Sequence, residues 1–228
     1  MSLKMLGHSS FALVCAFTFS IIGAETASAA SKTYDTSLAK TPCDILTIDQ
    51  VATTLNLPAE KLEQSDPEVP FCIYEMDEDG KTVEVTLVVN AFDTDKAAAE
   101  SFHELTQDRT AEEITQMLQE LGIDADEDES DSIASITKPE TTGVEFESIK
   151  GIAEQARFQT NEGALHLLQG NLYLVLMAYY GPVPPVPENI VYTDFAALEK
   201  ASSAWVQDTM DVRKKQTTAL AKAALEAL

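Results

Sequence analysis

The stretch "FCIYEMDEDGKTVEVTLVVNAF", residues 71–92, decides the fold class. Val83, Val85, Leu87, Val89 and Ala91 alternate with Thr82, Glu84, Thr86, Val88 and Asn90, which is the period of a strand with one buried face. Asp79-Gly80, in the "DEDG" just upstream, supplies a hairpin turn, so "FCIYEM" at 71–76 folds back as the partner strand. A hairpin of this kind starts an antiparallel sheet, because parallel neighbours need a long crossover.

Upstream, "LTIDQVATTLNLP" at 46–58 has a helical pattern. Thr47 and Gln50 form a capping box, Ile48, Val51 and Leu55 share one face, and Pro58 stops the helix. Downstream, helical pattern runs from Asp93, with Phe102 and Leu105 as core candidates. A further helix begins at Thr110, which pairs with Glu113 as a second capping box. Ile114, Met117, Leu118 and Leu121 make its stripe, and Gly122 ends it.

Residues 122–143 are acidic and unpatterned, a surface loop in this reading. "EQARFQT", "ALHLLQ" and "LYLVLMAYY" then read as three strands joined by "NEG" and "GN" turns. "GPVPPVP" at 181–187 reads as a stiff connector rather than a groove-binding ligand. A long helical region from Asp194 closes the chain, its stripe being Phe195, Leu198, Ser202, Trp205, Thr209 and Val212. The expected order is α-β-β-α-β-β-β-α: an α+β fold with a mainly antiparallel sheet of five or six strands and helices on one face.

The N-terminus addresses the chain for export. Lys4 precedes an apolar run from Phe11 to Ala24, and "ASA" at 27–29 supplies the small residues of a cleavage site before Ala30. Cys15 lies inside that run behind bulky Leu13 and Val14, so it is read as removed rather than lipidated. The expected organisation is a signal peptide at 1–29, a flexible leader at 30–41 and one domain at 42–228, which can also be read as two similar halves, 42–121 and 144–228. Periplasm or secretion is the expected location, with no membrane insertion after cleavage.

Cys43 and Cys72 are then the remaining cysteines, and an oxidising compartment makes them a disulfide. The bond would close a loop worth about 3–4 kcal/mol. With no C-x-x-C motif present, a staple is favoured over thiol chemistry. The formal charge of −23 argues against nucleic acid and anionic membranes as partners, and solubility explains it more simply than a basic partner does.

Chemical motifs are thin. Asp124, Asp126 and Asp128 stand at positions 1, 3 and 5 of a calcium loop, but Glu129 replaces the turn Gly and Ser135 the closing Glu. They are weak calcium candidates at most. "EMDEDG" at 75–80 fails in the same way at Thr86. "HELTQ" at 103–107 lacks the second His of a zinc-protease helix, leaving His103 as an exposed helix residue and His166 as a strand residue pointing away from the core. "SLAK" at 37–40 and "SITK" at 135–138 match S-x-x-K without its accompanying elements. Tyr173, Tyr179, Tyr180 and Trp205 are read as core or as the lining of a pocket between sheet and helix. No catalytic residue and no cofactor is assigned.

The segment "GIAEQARFQTNEGALHLLQGNLYLVLM", 151–177, resembles small exported bacterial proteins and lipoproteins of unknown function, in which a G-[hydrophobic]-G-D-x-A turn precedes strands broken by a Gly-polar turn. Gly151, Ala156, Gly170 and Asn171 match, while Ala153 and Glu154 replace the usual Gly and Asp. The early C-x-x-[LI]-T-x-x-x-[VA] run from Cys43 to Val51 is similar to the same group. The resemblance implies a secreted α+β domain without known catalysis. The function expected is an exported non-enzymatic binding or accessory protein, for a small molecule or a protein partner; the alternative is an exported enzyme of unrecognised type.

Overall fold

A computed structural model describes residues 32–65, 71–120, 143–183 and 195–228. Seven strands form one sheet in the order β1-β2-β3-β7-β6-β5-β4, and every neighbouring pair is antiparallel. The opening hairpin is β2 (Phe71–Glu78) and β3 (Lys81–Ala91), with Asp79 and Gly80 both at positive φ, 52° and 74°. That is the turn whose twist matches paired strands. The second half supplies β5 (Gln155–Gln159), β6 (Ala164–Gln169) and β7 (Leu172–Pro182), and β7 pairs with β3 along its whole length. The added strands sit at the edges: β1 (Glu63–Gln64) and β4 (Phe146–Ser148). Two or three residues are too few to display an alternation.

One face of the sheet carries the main core. Val83, Val85, Leu87, Leu165, Leu167, Leu174 and Leu176 project there against helices α1 (Pro42–Ile45), α2 (Ile48–Leu55) and α6 (Met210–Glu226). The Thr47–Gln50 capping box forms as expected, with the Gln50 amide N–H donating to Thr47 Oγ1 at 3.3 Å and the Thr47 N–H to Gln50 Oε1 at 2.7 Å. The helix stops earlier than Pro58: Asn56 turns left-handed at φ 55° and Leu57 N–H returns to the Ala52 carbonyl. Cys43 and Cys72 are joined, 29 residues apart with Cα atoms at 5.1 Å, fastening α1 to β2.

The other face has its own smaller core, and the helices therefore do not all lie on one side. In α3 (Asp95–Leu105), Ala98 and Phe102 pack on Leu168 and Tyr173. Leu105, expected in the core, is 51% exposed, since the buried stripe runs through Ala98, Phe102 and Thr106 instead. Next comes α4 (Ala111–Glu120), opened by the expected box in which Glu113 accepts from the Thr110 N–H at 2.7 Å. Met117, expected on its apolar stripe, is 38% exposed. The two halves share one sheet and one compact unit, yet the helix following each hairpin goes to the opposite face.

Two further expectations change. Within the expected flexible leader, residues 32–41 dock on the domain: Thr36–Lys40 is a 3-10 turn, and Tyr34 and Leu38 pack against the core. The terminal helix divides into α5 (Phe195–Asp208) and α6 at Thr209. Val212 is 44% exposed, and the buried line of α6 runs instead through Arg213, four residues beyond Thr209, then Thr217, Leu220, Ala221 and Ala224. Beyond Met177, β6 no longer accompanies β7, and α6 takes its place. The Gln216 side chain accepts from Tyr180 N–H at 2.8 Å and donates to Tyr180 O at 2.9 Å, as a neighbouring strand would.

Candidate functional site

An open groove lies between α2 and α6, about 400 Å³ in volume. Thr54 and Leu55 line it from α2, and Asp211, Val212, Lys215, Gln216 and Ala219 from α6. Gln50 of α2 holds the two helices together by donating to the Ala223 carbonyl at 3.0 Å. Val212 is thus diverted from the expected core position to the groove wall. The groove residues carry no motif in the sequence; the one sign is that Val212 is apolar although it lies off the buried line of α6.

A second groove, about 680 Å³, runs beside the β2–β3 hairpin. Its walls carry Glu60, Glu63, Glu75, Asp77, Glu78 and Glu84, with Lys61 paired to Glu78. Glu75 faces both Glu63 and Glu84 across the strands, so like charges stand in a row over the solvent. Among the described residues no group of three His, Cys, Asp or Glu is placed to hold a metal ion. The calcium candidates Asp124, Asp126 and Asp128 lie outside the described residues, as do Ser135 and Lys138. Ser37 and Lys40 are exposed on the 3-10 turn, and His103 is exposed on α3.

His166 does point away from the main core, but into the smaller one, where it is 8% exposed. Its Nδ1 lies 2.6 Å from the Tyr173 hydroxyl and its Nε2 3.3 Å from Gln159 Oε1. The amide oxygen can only accept, so Nε2 carries the proton and Nδ1 accepts from Tyr173. The imidazole stacks on Tyr173 and meets Phe146 edge-on at 5.2 Å. Burial pushes the His166 pKa from 6.5 down to about 4 and the Tyr173 phenol up to about 12. Arg157, opposite His166 in β5, donates to the Thr106 carbonyl, to Asp108 Oδ1 at 3.3 Å and to the Phe146 carbonyl at 3.4 Å.

The remaining aromatic residues do not converge on one pocket. Tyr179 and Trp205 meet edge to face at 4.8 Å and hold the Arg213 guanidinium against both rings, 4.5 Å from each. Arg213 is 7% exposed, and burial lowers its pKa. Tyr173 belongs to the His166 cluster, and Tyr180 is half-buried beside Lys81. The chain matches no protein-family model, no curated protein and no solved structure.

Proposed function

We propose that this chain is an exported, non-enzymatic binding or accessory protein, and that the α2/α6 groove receives an apolar group of its ligand. The groove's form carries the proposal: an open, mainly aliphatic hollow of ligand-pocket size. The strongly shifted His166 and Tyr173 are sealed in a separate cluster and line neither groove. A catalytic site would instead gather such groups around an accessible cavity. Export is supported by the leader pattern and by the Cys43–Cys72 disulfide, which suits an oxidising compartment. No helix of the described residues is long and apolar enough to cross a membrane.

The test is a titration of the native protein with the neutral apolar dye Nile red, alongside a mass spectrum of what co-purifies. Saturable binding that Ala219→Trp weakens at least tenfold, by filling the groove, supports the assignment. Dye binding unchanged by that substitution, in a variant whose Tm is unchanged, removes the groove from consideration.

A further inference from the structure

Protonation of His166 has nowhere to place its charge. Both ring nitrogens already have partners, and only the neutral ring lets Tyr173 donate to Nδ1 while Nε2 donates to Gln159. A second proton on Nδ1 would face the Tyr173 oxygen and force its hydroxyl to turn away. The new cation would also stand opposite Arg157, whose buried Nε has no hydrogen-bond partner. Nearby charge gives little relief. On β5 the ionisable neighbour is Arg157, with Gln159 neutral; β7 contributes Tyr173 and β4 contributes Phe146. Asp108 is engaged by Arg157 and by the Phe146 N–H at 2.8 Å. From α3 come Phe102, against Tyr173, and the fully buried Thr106, whose carbonyl binds Arg157. The ionisable residues of α3 nearest this end, Glu100, His103 and Glu104, are exposed, with His103 edge-on to Phe102.

The cluster meets α3 through Tyr173, on which Phe102 packs edge-on, and through Arg157, which binds the Thr106 carbonyl. The helix reaches the sheet through Ala98, Phe102 and the Thr106 carbonyl, a small contact beside the main core on the opposite face. We infer that His166 is an acid latch: when the ring takes up a proton, α3 lifts from the sheet and exposes Leu168, Tyr173 and Phe102, while the α6 face stays folded.

The direction follows from linkage. The ring binds its proton more weakly when enclosed than when freed, about 4 against 6.5. Acid therefore favours the open form, and the effect accumulates as pH falls from about 6.5 towards 4. At pH 4 the opening equilibrium of α3 should rise roughly a hundredfold relative to pH 8.

Hydrogen exchange followed by mass spectrometry, corrected for the intrinsic pH dependence of exchange, reads this directly. In the native chain the protection of α3 should fall about a hundredfold between pH 8 and pH 4, with α6 protection retained. In His166→Gln, which keeps a neutral hydrogen-bonding side chain, α3 protection should change little with pH. An equal acid loss in His166→Gln would overturn the latch and shift the cause to surface carboxylates or His103. Should that variant fail to fold, the native His166 Cε1 resonance decides. Titration near 6.5 while α3 keeps native chemical shifts would overturn the inference; titration well below 6.5 that coincides with loss of the α3 signals supports it.

Discussion

Tyr74 shows how much one hydroxyl can do inside this core. The side chain is fully buried in β2, and its O–H donates to the Leu46 carbonyl at 2.6 Å. Burial, with a smaller contribution from Asp44, pushes the phenol up to about 12, so it remains a donor across ordinary pH. Tyr74→Phe should cost about 1–3 kcal/mol in urea unfolding, because the Leu46 carbonyl is left buried without its partner. Gly170 makes a different demand. It has φ +57°, and an added Cβ would collide with the Lys32 carbonyl oxygen. Its neighbour Asn171 accepts from the Tyr34 N–H at 2.6 Å and donates to the carbonyls of Tyr34 and Phe92. Gly170→Ala should therefore release residues 32–40 as well as strain the turn, costing about 1–3 kcal/mol. Limited trypsin digestion should show faster cleavage at Lys40. The turn at 170–171 is plain in sequence from Gly-Asn alone. Its hold on Tyr34 is not, because the partners are 137 residues apart.

At the level of elements, local signals proved dependable and register over long distance did not. The hairpins, both capping boxes and the alternation of β3 arise from neighbours within a few residues, so they are legible in the chain. The face chosen by α3, the edge strands and the phase of α6 depend on contacts across the molecule. Val212 illustrates the point: its spacing of three from Thr209 fits a core stripe, but Arg213, four along, takes the buried place against Tyr179 and Trp205. The groove that Val212 helps to line is illegible for the same reason, and the alternation of β6 gives the face of His166 but not the Tyr173, Gln159 and Phe146 that enclose it. Gln216 depends on such a contact too. Gln216→Leu would leave both polar groups of Tyr180 facing a hydrocarbon side chain, and should cost about 1–3 kcal/mol by urea unfolding. Loosened α6 would also bare the β7 edge, so increased light scattering on storage is expected.

Over the whole molecule, two terms act without reference to any single contact. The Cys43–Cys72 staple closes its loop in the unfolded chain as well as the folded one. Reduction, or replacement of both cysteines by alanine, should lower stability by about 3–4 kcal/mol, measured by denaturant titration with and without reductant. The groove lies on α2 and α6 and not at the disulfide, so dye binding by the fraction still folded should persist. The charge of −23 opposes compaction through self-repulsion. Raising sodium chloride from about 0.01 M to about 0.5 M shortens the screening length from about 30 Å to a few ångström. The Tm should rise by several degrees, and a fall would show that the surface ion pairs outweigh the repulsion.

The central pairing of β3 with β7 also sets a timetable. Ala91 must find Leu172, and Lys81 must find Pro182, so the middle of the sheet waits on the order of 90 residues for its second strand. At ribosomal speeds that delay is roughly 5–20 s. During it the first hairpin has formed by its tight turn, yet the long strand β3 carries an unpaired, valine-rich border. A nascent chain ending before Leu172 would thus be sticky, whereas one a dozen residues longer can seal itself.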